Sequence, residues 1–386
     1  MFFERRLWPV ASQVDFASAR TAILPTGSRS RIADVIFSYP REFPADEVER
    51  RVPDAATARR LMRERRPDVI ALIEQRLQRF SKLVADQPNK LIEQARDAVL
   101  IGFCRVAFRH GSWGDDFHAY HNENHVFEIL GTRIERMIET VGMRALVPGD
   151  WFLLGLFAAT HDLRQREAPL FEAGIGSNER ASVEETLRIL EACGFSPKQH
   201  REIFVGIELM ISGSTFDARP PPSMLEYNTA ELLVQSRGAL ARKFDKKLDK
   251  HAPGWRNDAR IVHALTLAQI AADLDTANVA EPFPVFMASA ERLCREREMR
   301  SHRDPDSPET LTPVLNFLTV GQERYFFELH RFGSEFGRRA FEAGKLDNAE
   351  KLKKMTAELY RRATSGELRT GNEVLNACRE ITIALD

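Results

Sequence analysis

Apolar residues recur every three to four positions from about residue 54 to the end of the chain, which is the period of amphipathic helices. Such stripes cover 69–83 and 91–106. Clusters of Pro, Gly, Asp and Ser separate the segments, and runs of β-branched residues with period two are absent. Further helices are predicted over 124–141, 150–162, 178–193, 197–212, 227–245, 257–276, 284–301, 309–340, 346–364 and 371–384. The pattern predicts an all-α fold, a multi-helix bundle around a central pocket.

The first fifty or so residues do not follow this pattern, because prolines at positions 9, 25, 40 and 44 interrupt them. Their apolar content, which includes Phe2, Phe3, Trp8 and Phe16, is too high for a disordered segment. We therefore predict an extended arm that packs on the body or on a partner, rather than a mobile tail. An arm of this kind also suits a homodimer.

Composition limits the class of protein. The chain has 386 residues, of which 43 % are hydrophobic, enough for a sizeable core. Its 55 basic and 56 acidic side chains nearly balance, so it offers no electrostatic footprint for nucleic acid or for an anionic membrane. The longest apolar run, from Trp151 to Ala159, is shorter than the roughly 20 residues that span a bilayer.

Cysteine usage and the N-terminus both indicate a cytoplasmic protein. The four cysteines, at positions 104, 193, 294 and 378, lie far apart without a paired spacing, which is typical of reduced thiols, mostly in the core. Charged residues at positions 4–6 stand where a signal peptide would need apolar ones.

Candidate chemistry is concentrated in five residues at three places: His121 and His125, His161 and Asp162, and Asp273. Neutral imidazoles and carboxylates are ligands for divalent metals, and a bound metal can convert water to hydroxide near neutral pH. His121 and His125 are four residues apart, so at the start of a helix they share one face. On its own, this pair is equally compatible with an exposed helical face.

The other three residues interrupt apolar helices. His161 and Asp162 end an apolar run, where a titratable pair is unfavourable unless it is paired or metal-bound. A helix terminus followed by a surface loop is the alternative. Asp273 lies in a helix that is apolar over most of its surface, so its carboxylate needs a partner. Asp275 points to another side of that helix, and His263 is expected to be a core histidine.

Together, these pieces resemble the HD-domain metal-dependent phosphohydrolases. The stretch from Tyr120 to His125 matches Y-H-N-x-x-H, the signature of their class I cyclic-nucleotide phosphodiesterase branch, at every fixed position. His161 follows His125 by 36 residues (161 minus 125), and Asp273 lies about a hundred residues beyond Asp162, as in that family.

Two further stretches add to the resemblance, which covers roughly residues 90–340. The segment 207–215 is similar to a family helix that ends in a threonine near the pocket, here Thr215. Gln322, with Tyr325 three residues later, is similar to a family glutamine that is followed by an aromatic residue.

The resemblance implies one tightly held ion, zinc, iron or manganese, on His125, His161, Asp162 and Asp273. Asp162 would bridge it to a more labile magnesium or manganese ion, completed mostly by waters. A hydroxide between the two metals would attack phosphorus in line, and His121 would protonate the leaving ribose oxygen as general acid.

The remaining implied roles concern orientation and substrate binding. Glu185 resembles the carboxylate that orients His121, with Glu184 as the next candidate, although both also suit a solvated helix face. Gln322 would hydrogen-bond the base, and Tyr325 would stack on it. The other implied substrate contacts are Tyr120, Asn178 and Thr215.

The chain departs from the family pattern after the second motif. Gln165 replaces a histidine that the family associates with the second metal, which puts the strength of that site in doubt. Arg164 and Arg166 are either surface residues or contacts for an additional phosphate. Residues 126–129 keep little of the signature's usual continuation, and Asn178 stands in for a family asparagine.

We therefore expect a metal-dependent phosphodiesterase that converts a 3′,5′-cyclic nucleotide to the 5′-monophosphate. The alternatives are an HD phosphohydrolase for another nucleotide or cyclic dinucleotide, and a weakly active nucleotide-binding sensor. The predicted organisation is an N-terminal arm with accessory helices over 1–89, a catalytic domain over 90–345, and C-terminal helices over 346–386 that pack on it.

Overall fold

The computed structural model describes residues 43–81, 89–165, 176–217, 238–251 and 253–386, and it confirms the all-α prediction. In chain order the helices are α1 (Glu47–Arg51), α2 (Ala55–Arg65), α3 (Pro67–Ser81), α4 (Asn89–Arg109), α5 (Glu123–Phe127), α6 (Ile134–Val141), α7 (Pro148–Thr160), α8 (Ser177–Ala192), α9 (Arg201–Ser214), α10 (Phe244–His251), α11 (Ala259–Asp275), α12 (Phe283–Arg300), α13 (Leu311–Asn316), α14 (Glu335–Thr364) and α15 (Gly371–Ala384).

Shorter elements join these helices. Two two-residue strands, β1 (Phe216–Asp217) and β2 (Gly238–Ala239), pair antiparallel. The π-helical turns are Glu128–Arg133, Phe317–Gly321 and Arg324–Leu329, and the 3-10 turns are Met143–Ala145, Leu240–Lys243, Trp255–Asn257, Ala277–Ala280 and Pro308–Thr310.

Several helices begin where a side chain satisfies the free backbone N–H groups of the first turn. Asp46 accepts a hydrogen bond from the Glu49 N–H at α1, and Asp54 accepts one from the Thr57 N–H at α2. At α15, Thr370 forms a reciprocal capping box with a glutamate. These short polar residues explain why the helical pattern breaks where it does.

The centre of the bundle is built from α7, α9 and α11. Helices α9 and α11 pack along each other, and α7 packs on α4 and α9. Most of α7 and α11 is buried around the whole circumference, as expected of helices at the centre of a core. Their C-terminal ends point toward the same region, which is where His161 and Asp275 lie.

Two predicted helices differ from the structure. The helix predicted over 309–340 is interrupted at 330–334, because the backbone N–H groups of Gly333 and Ser334 bond Asp273 and Ser334 caps α14. Most of the helix predicted over 227–245 lies outside the described residues; its end forms β2 and a 3-10 turn.

The structure describes only part of the domain organisation that the sequence predicts. Residues 1–42 of the predicted arm lie outside the described residues, and the boundary between 345 and 346 falls inside α14.

Cys104, Cys294 and Cys378 are buried and Cys193 is half-buried, all as free thiols. Among the described helices, none combines the length and apolarity needed to cross a membrane.

Candidate metal centre

Three side chains from three separate helices converge at the ends of α5, α7 and α11. His125 lies in the first turn of α5, His161 follows α7, and Asp275 is the last residue of α11. One ligand atom from each lies within 4.8 Å of the others. The Asp275 Oδ1 atom is 3.2 Å from His125 Nε2 and 3.4 Å from His161 Nε2.

Asp162 completes the group. Its Oδ2 atom lies 3.0 Å from His161 Nε2 and 3.7 Å from His125 Nε2. Both His161 Nε2 and Asp162 Oδ2 are buried, and neither has a hydrogen-bond partner of good geometry in the described part of the chain. Because buried polar atoms normally have partners, two imidazoles and two carboxylates arranged in this way suit a divalent cation.

The charges of these side chains are strongly interdependent. Burial opposes a charge on His161, yet the carboxylates of Asp162 and Asp275 raise its pKa well above the usual range. Burial likewise opposes ionisation of Asp162 and Asp275, but the neighbouring histidines lower both pKa values. The two carboxylates therefore favour a positive charge beside them, which a proton on His161 or a bound cation can supply.

Asp273, predicted as the fourth ligand, faces away from this group. Its carboxylate accepts hydrogen bonds from the backbone N–H groups of Gly333 and Ser334, at 2.7 and 2.8 Å, and from the Ser334 hydroxyl. A Cβ atom at Gly337 would collide with it. Burial raises the pKa of the Asp273 carboxyl to about 6. The expectation for Asp273 is therefore corrected: this aspartate anchors α14, and Asp275 faces the histidines.

His121, the predicted general acid, is held by Glu296 on α12. Its Nδ1 atom lies 2.7 Å from Glu296 Oε1, and Glu296 Oε2 accepts hydrogen bonds from the backbone N–H groups of Tyr120 and His121. Arg300, one turn further along α12, also pairs with Glu296, at 2.6 Å. Burial opposes a charge on His121, but Asp162 and Glu296 raise its pKa.

Glu185, predicted to orient His121, does not contact it. The Glu185 carboxylate pairs with Arg105, Arg109 and Arg164. Glu184, the second candidate, accepts the backbone N–H of Phe43 at 2.9 Å. Both predictions are corrected, because Glu185 faces arginines, Glu184 accepts a backbone hydrogen bond, and neither is among the described residues that line the cleft.

A cleft of about 630 Å³, open mouth included, lies over the cluster. Tyr120 and Tyr325, both predicted as substrate contacts, line it. The Tyr325 ring lies 5.4 Å from the ring of Phe216, centroid to centroid. The lining residues are Tyr120, His121, His161, Asp162, Gln165, Glu179, Ser214, Phe216, Asp275, Thr276, Asn278 and Tyr325.

The other predicted substrate contacts lie beside the cleft rather than in its wall. Asn178 Nδ2 donates to Gln165 Oε1 at 3.1 Å. Thr215 is buried and hydrogen-bonds the Glu179 carboxylate. Gln322 is buried on the helical segment before Tyr325 and is not among the lining residues in the described ranges.

The π-helical turn after α5 supports two of the ligands from behind. Arg133, only 1 % exposed, donates to the carbonyl oxygens of Leu274 and Asp275, at 3.0 and 2.6 Å. Glu128 Oε2 stands 4.0 Å from His125 Nδ1. Such partners orient metal ligands, and π-helical turns are frequent at functional sites.

A second group, His110, Asp116 and His118, also has metal-ligand spacing, but its hydrogen bonds argue against that use. The Gln165 backbone N–H donates to His110 Nε2, and Arg300 donates to His118 Nδ1. In each neutral ring the other nitrogen must then carry the proton, which leaves no lone pair for a metal.

Sequence reasoning missed Asp275 and Glu296. Asp275 was visible as the second of two aspartates at the end of one helix, and only the rotation of α11 in the bundle selects it. Glu296 lies in the charged stretch 295–298, where nothing distinguishes one glutamate from another. Neither Asp275 nor Glu296 belongs to a sequence pattern that marks it as part of a site.

No protein-family model matches the chain, and no curated protein matches it significantly. The resemblance of the Tyr120–His125 stretch to one phosphodiesterase signature therefore stays a prediction. The functional argument depends on the geometry of the cluster and its cleft.

Proposed function

We propose that this protein is a metal-dependent phosphoester hydrolase, and that its substrate is a 3′,5′-cyclic nucleotide. The observation that carries the proposal is the meeting, in one cleft, of a four-residue ligand group with a separately held histidine. The ligands are His125, His161, Asp162 and Asp275, and the histidine is His121. A divalent ion on these ligands would supply Lewis-acid activation of water and of a phosphate oxygen.

His121 is suited to the proton transfer. With Nδ1 bonded to Glu296, the ring directs its other nitrogen away from that carboxylate. The raised pKa of His121 keeps a larger fraction of the ring protonated near neutral pH. A protonated imidazole in this position can donate to a departing alkoxide oxygen, a contribution of roughly 10²–10⁴-fold in rate.

The cyclic-nucleotide part of the proposal rests on the Y-H-N-x-x-H stretch and on the aromatic wall of the cleft. The rings of Phe216 and Tyr325 offer apolar faces on which a base can stack. Three of the four ligands, His161, Asp162 and Asp275, line the same cleft, which suits a substrate with a planar base and a phosphodiester.

Hydrolysis assays test the proposal directly. The protein is incubated with cyclic mononucleotides, cyclic dinucleotides and nucleoside phosphates in the presence of zinc, manganese or magnesium. We expect metal-dependent turnover of a cyclic mononucleotide. The His121→Ala variant should lose at least about 100-fold in kcat while retaining its metal.

The control is His263→Ala, which removes a histidine that was expected in the core but is half-exposed and pairs with Asp150. It should leave turnover unchanged. Absence of turnover with every phosphate ester would refute the hydrolase, and loss of metal in His121→Ala would make that residue a ligand instead. Tight binding of a cyclic nucleotide without turnover would favour the sensor alternative.

A further inference from the structure

We infer that this centre holds a single divalent ion, because the Gln165 side-chain amide donates a hydrogen bond to the Asp162 oxygen that a second ion would need as a ligand. The inference rests on the metal centre proposed above and departs from the two-ion arrangement that the family resemblance implies. It concerns Gln165 and Asn178, which have no role in the proposed chemistry.

The amide is bound at both ends. Gln165 Nε2 donates to Asp162 Oδ1 at 2.6 Å, and Asn178 Nδ2 donates to Gln165 Oε1 at 3.1 Å. The backbone N–H of Gln165 donates to His110 Nε2 at 3.2 Å, which fixes the start of the side chain. The chain of donors thus runs from α8 through Gln165 to the carboxylate.

The two oxygens of Asp162 therefore have different environments. Oδ2 faces His161 and His125 and has no hydrogen-bond partner in the described ranges. Oδ1 accepts the Gln165 N–H. A carboxylate that bridges two ions about 3.5–4 Å apart must give one oxygen to each. Here only Oδ2 is free to do so.

A cation at Oδ1 would meet the positive end of the amide dipole. Displacing the amide would also break the hydrogen bonds that the half-buried Gln165 side chain makes with Asp162 and Asn178. Besides Asp162 and Asp275, the described residues of the cleft wall include the carboxylate of Glu179, which is hydrogen-bonded by Thr215. At the place where a second ion would bind Asp162, the protein thus presents an N–H donor instead of a ligand atom.

The opposite amide orientation makes a different prediction. Rotating the side-chain amides of Gln165 and Asn178 by 180° would place Gln165 Oε1 against Asp162 Oδ1, oxygen against oxygen. A cation bound to both oxygens would stabilise that arrangement. The number of ions bound by the wild-type protein therefore discriminates between the two orientations.

Metal stoichiometry is the experiment. The full chain is stripped with a chelator, titrated with zinc or manganese by calorimetry, and analysed by mass spectrometry of the retained metal after desalting. We expect one tightly bound equivalent per chain. Gln165→Glu and Gln165→His replace the N–H donor with a ligand atom, so each should bind a second equivalent at least tenfold more tightly than the wild type does.

The matched control is Gln199→Glu, the same chemical change at an exposed turn position, which should stay at one equivalent. Two tight equivalents in the wild type would overturn the inference and leave the proposed function intact. A second equivalent in neither Gln165 variant would also overturn it. If the wild type binds no metal, or if Asp275→Ala binds as well as the wild type, the proposed function fails as well. Should one Gln165 variant not fold, the other and the wild type still decide.

Discussion

Asp273 and Asp275 stand two residues apart at the end of α11 and serve different purposes. Two positions in an α-helix are about 200° apart, so one carboxylate faces α14 and the other faces His125 and His161. Asp273 accepts three hydrogen bonds at the start of α14. Asp275 Oδ1 is shared between the two histidines.

Exchanging each aspartate for asparagine should separate these roles. Asp275→Asn is expected to weaken metal binding at least about tenfold with little loss of folding stability. Asp273→Asn should keep the metal but lower the free energy of unfolding by about 1–3 kcal/mol, since a buried acceptor of three hydrogen bonds is altered. Metal content and thermal unfolding of the metal-free proteins measure the two effects. The reverse result would restore Asp273 as the ligand.

Glu208 on α9 is a second residue whose charge is controlled by its position. Burial raises the pKa of its carboxyl to about 8, and Oε2 has no hydrogen-bond partner among the described residues. The folded state therefore binds a proton more tightly than the unfolded state does. The Glu208 carboxyl group favours the folded state most at low pH. Its contribution to the free energy of unfolding declines as the pH rises from about 4.5 to about 8.

Replacing Glu208 with glutamine should remove this pH dependence. Relative to wild type, Glu208→Gln is expected to gain on the order of 2 kcal/mol of unfolding free energy at pH 8, and much less at pH 5. Denaturant unfolding at both pH values measures it. Glu202→Gln, an exposed position on the same helix, is the control and should differ little from wild type. An equal effect at the two pH values would contradict the argument.

At the scale of elements, the segment from α5 through the π-helical turn to α6 builds one side of the centre. Helix α5 supplies His125, and the turn supplies Arg133, which reaches the C-terminal carbonyls of α11. The wider turn places these two side chains toward the same neighbouring helix end. Arg133 thus acts as a positioning residue for Asp275.

We expect Arg133→Met to weaken metal affinity by about 10–100-fold, the range typical for partners that orient metal ligands. The matched control is Arg136→Met on α6. Arg136 also donates to a carbonyl oxygen, that of Ala280 in the 3-10 turn after α11, at 2.9 Å, and the hydrogen bonds and ion pairs of the described residues do not join it to Asp275. Calorimetric titration of both variants measures the difference. Equal affinities would show that Arg133 is only structural.

At the scale of the whole molecule, a buried network of charges joins α1 to the segment after the metal ligands. Glu49 on α1 pairs with Arg105, Arg164 and Arg188. Arg164 also pairs with Glu185 and lies two residues after Asp162. Arg105 shares Glu185 as a second partner, and Arg164 also pairs with Asp46 at 3.4 Å. The network ties the N-terminal part of the described chain to the centre.

Removing Glu49 should be costly. Glu49→Ala leaves three arginines short of a carboxylate in a mostly buried setting, so we expect a loss of about 3–5 kcal/mol in unfolding free energy. The control is Glu64→Ala, which removes an exposed i,i+4 pair with Arg60 and should cost less than about 1 kcal/mol. Denaturant unfolding compares them, and similar losses would contradict a structural role for the network.

The sequence predicted the parts of this protein that depend on local physics. The period of apolar positions gave the helices, and turn-forming residues gave most of their limits. Helix 309–340 was one exception, because the break at 330–334 depends on the distant carboxylate of Asp273. His161 and Asp162 were recognisable because a titratable pair at the end of an apolar run needs a partner, and His121 and His125 were recognisable from their four-residue spacing.

Only the tertiary structure selected between residues that look alike along the chain. The rotation of α11 against its neighbours decides that Asp275 rather than Asp273 faces the histidines. The rotations of α12 and α8 decide that Glu296 rather than Glu185 contacts His121. Tertiary packing also decides which oxygen of Asp162 accepts the hydrogen bond from Gln165. A side chain's partners depend on packing between segments far apart in sequence, and a local pattern of residues does not contain that rotation.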